Sequence, residues 1–317
     1  MMSPMQSGNR PQFSVVVPVF NESANIRELH RRLTEFFRPR TDSFEIVFVD
    51  DGSLDPSYRI LDELRRADPR VRIIKFSRNF GHHIAITAGL DFSRGDWVVL
   101  MDADLQDQPE DIAQLLEKTQ EGFDIVYGIR KERDDPPMKK LSSWLFIGLM
   151  NRFAGAEIPL NSCVFRVMSR RVVDHLKRFR ERERYIIGLM SWLGFRQTGV
   201  EVRHAARFAG EAKYNLRRSF RLAFNVVTSF SYLPLRLASY TGFLSALIAL
   251  LLIVTLIAKK LIFGIPVEGW VSAMVCIAFF GGVQLLCLGI IGEYLGRTYR
   301  EVQQRPLYVV DDSNSDL

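Results

Sequence analysis

The sequence has little cysteine, and its few cysteines follow no pattern. Of 317 residues only three are cysteines, Cys163, Cys276 and Cys287, and none has the spacing of a metal knuckle. Two of them lie inside apolar runs, so we expect no disulfide framework and a reducing compartment such as the cytosol. The N-terminal stretch, residues 1–12, is polar and lacks the apolar core of a secretory signal peptide.

Several catalytic signatures are also missing. The sequence contains no phosphate-binding loop of the GxxxxGK type, no HExxH zinc motif and no nucleophile elbow. The formal net charge is +6, but Lys and Arg are scattered through the first two thirds and then gather beside apolar runs. That distribution does not indicate nucleic acid as a partner, and it is typical of a protein that lies against anionic lipid.

Two long apolar runs occupy the last third of the chain. Residues 238–258 and 270–291 each hold about 20 residues without a charge, close to the length that spans a bilayer as a helix. The short segment between them, 259–269, contains Gly264 and Pro266, so we predict a hairpin of two transmembrane helices. The alternative is two buried helices of a soluble core, but such helices are rarely so long and so uniformly apolar.

The charges beside these runs predict their orientation. The turn contains Lys259 and Lys260, whereas seven arginines flank the hairpin outside its ends: Arg217, Arg218, Arg221, Arg236, Arg297, Arg300 and Arg305. Cytoplasmic segments carry the excess of Lys and Arg. We therefore expect a multi-pass protein of the inner (cytoplasmic) membrane, with its catalytic domain and both termini in the cytoplasm.

Residues 214–235, directly before the hairpin, combine three arginines with an apolar, aromatic face and end near Pro234. This pattern predicts an amphipathic helix that lies in the membrane interface. An ordinary amphipathic helix packed on the soluble domain is the alternative.

The first part of the chain alternates apolar strands with helical patterns. We predict five strands, at 13–19, 44–49, 71–76, 97–101 and 123–127. Helical spacing lies between them, with Ile26, Leu29, Leu33 and Phe36 in the first helix and further helices at 56–67, 81–92 and 109–121. Such alternation predicts an α/β fold with a mainly parallel sheet, whose ligands bind outside the carboxyl ends of the strands.

Acidic residues follow two of these strands. Asp50 and Asp51 come after the second strand, and Asp102 and Asp104 come after the fourth. If those strand ends are neighbours, the carboxylates repel one another unless a ligand separates them. A divalent cation with a diphosphate resolves that conflict, and oxygen ligands suit Mg²⁺ or Mn²⁺. An Asp-x-Asp pair alone is more often a solvated turn, but its position after a buried strand and the second acidic pair favour a site.

Four motifs resemble those of a known family: VVPVFNE at 16–22, VDDGS at 49–53, RNFG at 78–81 and DADLQD at 102–107. They are similar to inverting family 2 glycosyltransferases with a GT-A fold. More narrowly, with residues 289–308, they resemble the polyisoprenyl-phosphate glycosyltransferases, which include dolichyl-phosphate mannose synthase and the bacterial bactoprenol glucosyltransferases.

The resemblance implies a nucleotide site and a metal site. The nucleotide-binding residues would be Pro18, Asn21, Glu22, Asp50, Asp51, Asp102 and Arg130. The metal ligands would be Asp102, Asp104 and Gln106, and the cofactor would be Mg²⁺ or Mn²⁺. The donor would be a nucleotide sugar. A UDP-hexose is the family-level expectation, GDP remains open, and the sequence does not name the sugar.

The resemblance also implies a site for polyprenyl (undecaprenyl) phosphate, formed by Lys139, Ser143, Arg207 and Lys213. Together with Asp102 and Asp104, Arg207 and Lys213 would form the catalytic group. Two positions depart from the family pattern. Ala212 stands where many relatives have Ser or Thr, and Val164 stands where the bacterial glucosyltransferases have an Asp considered a base. A phosphate monoester is already mostly anionic at neutral pH, so little base help is needed.

The expected enzyme transfers a sugar with inversion, for cell-envelope glycosylation such as lipopolysaccharide modification. Its parts would be a catalytic domain at 1–213, the interfacial helix at 214–235, the hairpin at 236–292 and a cytoplasmic tail at 293–317. Family resemblance adds a homo-oligomer, a tetramer. Two alternatives remain open. A processive polysaccharide synthase would need a Gln-x-x-Arg-Trp motif and more spanning helices, and a non-catalytic membrane scaffold would keep the fold without the chemistry.

Overall fold

The computed structural model describes residues 10–41, 43–130, 162–182, 184–203, 233–263 and 269–311. The chain divides into two compact units. One contains the sheet with its helices and, from the far end of the chain, residues 305–311. The other contains two long helices.

The first unit alternates strands with helices, as predicted. Its strands are β1 (Phe13–Val19), β2 (Phe44–Asp50), β3 (Val71–Lys75), β4 (Trp97–Leu100), β5 (Ile125–Arg130), β6 (Ser162–Ser169) and β7 (Gln197–Val202). Its helices are α1 (Ile26–Phe37), α2 (Ser57–Ala67), α3 (His82–Phe92), α4 (Ile112–Thr119), α5 (Arg170–Leu176) and α6 (Ile186–Trp192), with a 3-10 turn at Pro109–Asp111 before α4.

The strands form one sheet in the order β3-β2-β1-β4-β6-β5-β7. Neighbouring strands are parallel except where β6 pairs with β4 and β5, to which it is antiparallel. The predicted α/β fold with a mainly parallel sheet is confirmed. β6 and β7 were not predicted, because β6 has Arg166 in its middle and every residue of β7 except Val202 retains solvent exposure.

The central strands are buried on both faces, which explains their unbroken apolar runs. Every residue of β1 and β2 is buried, and α1 covers them with the predicted stripe of Ile26, Leu29, Leu33 and Phe36. On α3, a Cβ added at Gly89 would lie 2.2 Å from Val16 Cγ1. A larger residue there would push α3 away from β1. The N-terminus of α3 lies at the edge of the sheet where β2 ends.

The second unit holds α7 (Leu233–Phe263) and α8 (Trp270–Val302). Within them, Leu235–Ile262 and Ala273–Val302 have mean hydropathies of 2.6 and 2.4 and are long and apolar enough to cross a membrane. Neither is buried in the described structure, unlike a core helix of a soluble protein. The helices contact each other, with Thr241 Oγ1 3.9 Å from Cys287 Sγ.

The bounds of these helices differ from the expected ones. α8 continues past the predicted end of the apolar run at residue 291 as far as Val302, and its last turns are polar. Pro234 lies in α7 rather than at the end of a separate helix. Residues 214–232, which make up most of the predicted interfacial helix, lie outside the described residues.

Candidate active site

The carboxyl end of β1 marks a reversal in the strand order. The chain runs outward from β1 to β2 and β3, and then returns to place β4 on the other side of β1. Ligands of α/β sheets bind at such a switch point. The two acidic pairs therefore flank β1 and do not follow directly adjacent strands. With two strand spacings between them they are about 10 Å apart, which leaves room for a nucleotide.

Hydrogen bonds join the loops that follow β1 and β2. Asn21 adopts a positive φ of 57°, its N–H donates to Ser53 Oγ at 3.0 Å, and its Oδ1 accepts from Leu54 N at 2.8 Å. The Glu22 N–H donates to Ser57 Oγ at 2.9 Å. Asn21 and Glu22, predicted to bind nucleotide, thus shape this edge of the sheet through bonds within the protein.

Pro18, another predicted nucleotide contact, is buried inside β1, opposite Val49 of β2. Its position, one residue before the strand ends, means that its missing N–H costs little pairing in the sheet.

Asp50 is fully buried at the end of β2. Its Oδ1 accepts from Ser53 N at 3.2 Å, and its Oδ2 has no hydrogen-bond partner among the described residues. Burial raises the pKa of Asp50, while the bonds from Ser53 and the charge of Lys75 oppose that shift. A buried carboxylate oxygen that still needs a donor is suited to an N–H group of a ligand.

Asp51 is also buried, but both of its carboxylate oxygens accept hydrogen bonds from backbone amides. Its Oδ1 accepts from Phe80 N at 2.6 Å, and its Oδ2 accepts from Gly81 N at 2.9 Å. Burial raises the pKa of Asp51, and these two bonds oppose the shift. The carboxylate therefore ties the loop at residues 78–81 to the end of β2.

Gly52 lets that loop come close. Its φ is +69°, and a Cβ added there would lie 2.6 Å from the Arg78 carbonyl carbon. Both the conformation and the space require glycine. The VDDGS and RNFG motifs thus form one packed unit, and sequence reasoning quoted both motifs without finding the contact between them.

Asp102 and Asp104 lie in a turn directly after β4. The Met101 N–H donates to Val16 O at 3.2 Å, which still continues the sheet. The chain then turns, Leu105 has a φ of 59°, and Asp104 Oδ1 accepts from Gln106 N at 3.2 Å. Residues 103–106 therefore form a turn rather than a continuation of β4.

The described residues contain no cluster of three or more His, Cys, Asp or Glu side chains that could hold a metal. Asp102, Asp104 and Gln106 offer two carboxylates and one amide oxygen. Such a partial set fits Mg²⁺ or Mn²⁺, because these ions take one or two carboxylates and complete their shell with substrate phosphates and water.

The two histidines at the start of α3 differ in their surroundings. His82 Nε2 lies 3.4 Å from Asp102 Oδ1 and is partly exposed. His83 packs edge-on against the Tyr185 ring, and burial lowers its pKa to about 4, helped by the nearby charges of His82, Arg184 and Arg166. His82 therefore belongs to the site edge, and His83 is a neutral packed residue at physiological pH.

Val164 lies at the same edge because β6 is antiparallel to β4. Leu100 pairs with Arg166, the last pair of that ladder, so Val164 lies two residues beyond it, toward the edge of the sheet where Asp102 follows β4. Arg166 is buried, and burial lowers its pKa. It donates to Val164 O at 3.0 Å, to Cys163 O at 2.6 Å and to Met190 Sδ at 2.9 Å. Sequence reasoning missed Arg166, although a lone arginine in the apolar run of β6 was a visible signal.

Of the remaining predicted residues, only Arg130 belongs to a described strand. Arg130 ends β5, which β6 separates from β4, and its side chain lies outside the described residues. Lys139, Ser143, Arg207 and Lys213 also lie outside them. Arg203, four positions before Arg207, is held by the fully buried Asp111, which accepts from Arg203 N at 2.9 Å and from its Nη2 at 2.6 Å.

Comparison with known proteins gives the class of this arrangement. The model of the family described as Glycosyl transferase family 2 matches residues 14–177, slightly more than half of the chain, from β1 to just past α5. The protein is therefore a glycosyltransferase, as its motifs predicted. The chain belongs to glycosyl transferase family 2.

Relatives match nearly the whole chain. An uncharacterized glycosyltransferase of Bacillus subtilis, YkcC, is 44% identical over 303 residues, covering 95% of this chain and 94% of the relative. The bactoprenol glucosyl transferase of Shigella phage SfII is 41% identical over 304 residues, covering 96% of this chain and 98% of the relative. The predicted membership of a family that includes bactoprenol glucosyltransferases is confirmed.

A solved structure is similar in fold. Glucosyl-3-phosphoglycerate synthase from Mycobacterium tuberculosis, in complex with Mn²⁺, uridine diphosphate and phosphoglyceric acid, matches with a TM-score of 0.50 and 19% identity. The match covers 69% of this chain and 76% of that one. This likeness concerns the fold alone, and it confirms the predicted GT-A sheet.

Proposed function

We propose that the protein transfers a hexose from a nucleotide sugar, a UDP-sugar in the first instance, to polyprenyl phosphate at a membrane. The observation that carries the proposal is the placement of acidic groups on both sides of β1, at the edge of the sheet. The open oxygen of Asp50 lies on one side of β1 and the acidic turn at Asp102 and Asp104 on the other, at a separation that suits a nucleoside diphosphate.

The donor is held by groups on both sides of β1. Asp50 Oδ2 accepts an N–H of the nucleobase, and Asp51 keeps the adjoining loop in place. Asp102, Asp104 and Gln106 hold Mg²⁺ or Mn²⁺ together with the diphosphate, and Arg130 adds a positive charge. When bound, the ion neutralises negative charge on the leaving diphosphate.

The acceptor is a phosphate carried by a lipid, as the name of the bactoprenol glucosyl transferase relatives supports. Lys139, Ser143, Arg207 and Lys213 bind and orient that phosphate. One of its anionic oxygens attacks the anomeric carbon, and the bond to the nucleoside diphosphate breaks with its electron pair going to the diphosphate oxygen. Attack from the opposite face inverts the configuration. Val164 supplies no base, so positioning and charge neutralisation lower the barrier.

The helices α7 and α8 form a hairpin that crosses the inner membrane, with the catalytic domain and both termini in the cytoplasm. This arrangement suits an acceptor whose phosphate lies at the membrane surface. The product is a polyprenyl-phosphate sugar that donates its sugar in cell-envelope glycosylation, for example of lipopolysaccharide, and the working form is a homo-oligomer such as a tetramer.

The test uses the purified full chain in nanodiscs that contain undecaprenyl phosphate. UDP-glucose, other UDP-hexoses and GDP-mannose are offered one at a time with Mg²⁺ or Mn²⁺, and mass spectrometry identifies the lipid product. We expect one sugar per lipid, no product after chelation by EDTA, and recovery when the metal is restored.

The exposed Glu35→Ala variant of α1 is a matched carboxylate control and should keep full activity. A polymeric product would establish a processive synthase instead. A chain that forms no lipid-linked sugar from any donor, while it still binds nanodiscs, would refute the proposal.

A further inference from the structure

The segment that follows α8 returns to the sheet. We name residues 305–311 the C-terminal strap. Ser77 N donates to Val309 O at 3.0 Å and Asp311 N donates to Lys75 O at 2.8 Å, so that Val310 pairs antiparallel with Phe76. The strap thus pairs with residues 75–77, at the carboxyl end of β3 and directly beyond it, and β3 is a strand at one edge of the sheet.

Side chains of the strap contact the end of β3 and the helix α3. The Tyr308 ring stacks on Phe76, with centroids 5.1 Å apart and planes inclined by 17°, and its hydroxyl donates to Asp91 Oδ2 of α3 at 2.8 Å. Asp311 Oδ2 lies 3.1 Å from Lys75 Nζ. Residues 76–81 connect β3 to α3, so the strap contacts the start of this connection at Phe76 and the last turn of α3 at Asp91.

This loop is the one that binds Asp51. The Phe80 and Gly81 amides donate to the Asp51 carboxylate, and the Phe80 ring packs edge-on against Phe76 at 5.5 Å. Contact therefore runs without a gap from Tyr308 through Phe76 and Phe80 to Asp51.

A second connection runs through Lys75. It pairs with Asp50 in the register of β2 and β3, and its charge opposes the rise in the pKa of Asp50 that burial causes. Its ammonium also bonds to Asp311. One cation thus connects the strap to the buried carboxylate that has an open oxygen.

We propose that the C-terminal strap is a positioning element of the donor site, which holds the loop at 78–81 and thereby Asp51 and Asp50 in the geometry that binds nucleotide. The proposal rests on the proposed function in that the donor is a nucleotide sugar. Its consequence is that the donor site is complete only when the chain beyond the second apolar helix is docked on β3.

The test compares variants of the full chain in nanodiscs. Tyr308→Ala removes both the stacking and the hydroxyl, Tyr308→Phe removes only the bond to Asp91, and Asp311→Asn weakens the ion pair with Lys75. Val309→Ala is the matched control, because its side chain is half exposed and its backbone carbonyl, which accepts from Ser77 N, is kept in the variant. The readouts are KM and kcat with UDP-glucose, the affinity for UDP by calorimetry, and amide hydrogen exchange of residues 76–81.

Tyr308→Ala should raise KM and the UDP dissociation constant about tenfold, with kcat nearly unchanged, the effect of losing roughly one well-made contact. Exchange at 76–81 should accelerate, while β1 and β2 stay protected. Tyr308→Phe and Asp311→Asn should each weaken UDP binding about threefold, and Val309→Ala should change nothing.

Faster exchange at 76–81 without weaker UDP binding would mean that the strap only covers the sheet edge, and would overturn the proposal. Unchanged exchange in Tyr308→Ala, or a loss of kcat at constant KM, would overturn it as well. If Tyr308→Ala does not fold, Tyr308→Phe decides on the same readouts. A wild-type chain that binds UDP but forms no lipid-linked sugar would refute the proposed acceptor and leave the strap to be judged on UDP affinity and exchange.

Discussion

Two pairs of aspartates follow two strands of one sheet, yet their surroundings differ. Asp50 and Asp51 are buried, and the Asp51 carboxylate accepts amides that lie about 30 residues further along the chain. Asp104 accepts an amide from its own turn, and Asp102 retains partial exposure beside His82. Asp51 therefore joins distant parts of the fold, whereas the second pair lies where we propose that the ion and the diphosphate bind. One residue type would then stabilise the loop at 78–81 in one place and bind the ion in the other.

The largest expected effect is at the second pair. Asp104→Ala should lower kcat/KM by about 10²–10³-fold, since it removes a proposed ligand of the ion that would stabilise charge on the leaving diphosphate. The thermal midpoint should fall less than in Asp51→Ala, because the hydrogen bond that Asp104 accepts from Gln106 N spans only two residues, whereas those of Asp51 span about 30. Initial rates over a Mn²⁺ titration measure kcat/KM, and a melting curve measures the thermal midpoint. An Asp104→Ala chain that melts early but turns over normally would reverse the comparison.

A variant of the first pair should show the opposite balance, with a larger loss of stability than of activity. Asp51→Ala leaves two partly buried amide donors, of Phe80 and Gly81, without their acceptor, which should lower the free energy of unfolding by about 2 kcal/mol. Urea titration followed by tryptophan fluorescence measures the loss. Asp55→Ala, in the same loop but less buried, provides the comparison and should cost less. Equal losses of unfolding free energy in the two variants would show that the burial of the carboxylate does not set the cost.

The neighbouring histidines offer a second contrast between a buried and an exposed group. Burial lowers the His83 pKa from 6.5 to about 4. The unfolded chain therefore binds the proton more readily, so the contribution of neutral His83 is present above pH 6.5 and is lost as the pH falls toward 4. Between pH 7 and pH 5 the free energy of unfolding should fall by about 2 kcal/mol from this group.

His83→Gln should flatten that part of the pH dependence of the urea midpoint, and His82→Gln should not. A midpoint whose pH dependence is the same in the wild type and in His83→Gln would show that His83 is not the titrating group.

The smallest effect is expected at Val164, which lies at the same edge of the sheet as Asp102. If the acceptor phosphate reacts as a preformed anion, Val164→Asp should change kcat by less than about threefold. The rate should fall below about pH 6, where the phosphate gains a proton, and be level from pH 7 to pH 8. A large gain in Val164→Asp with a new acidic limb in the pH profile would mean that a base is needed after all.

The fold was predictable where buried segments leave a recognisable apolar pattern in the sequence. β1 to β5 were found because their apolar runs are bounded by capping and turn residues, and the acidic residues were found because they follow those runs. β6 was missed because Arg166 interrupts its apolar pattern. The contact of Asp51 with Phe80 and Gly81, and that of Tyr308 with Phe76, depend on chain segments that no periodicity connects. Which strands become neighbours was also beyond the pattern, so β1 was not expected between the two acidic pairs.

The pairing of the strap with β3 has a practical consequence for handling the protein. An edge strand with unpaired backbone groups invites the edges of other chains to add to it. The strap covers residues 75–77 of that edge. A fragment cut before the helices would carry the sheet with this edge open, so it should self-associate more readily than the full chain. Fusing residues 305–311 back through a flexible linker should restore a monodisperse, soluble catalytic unit.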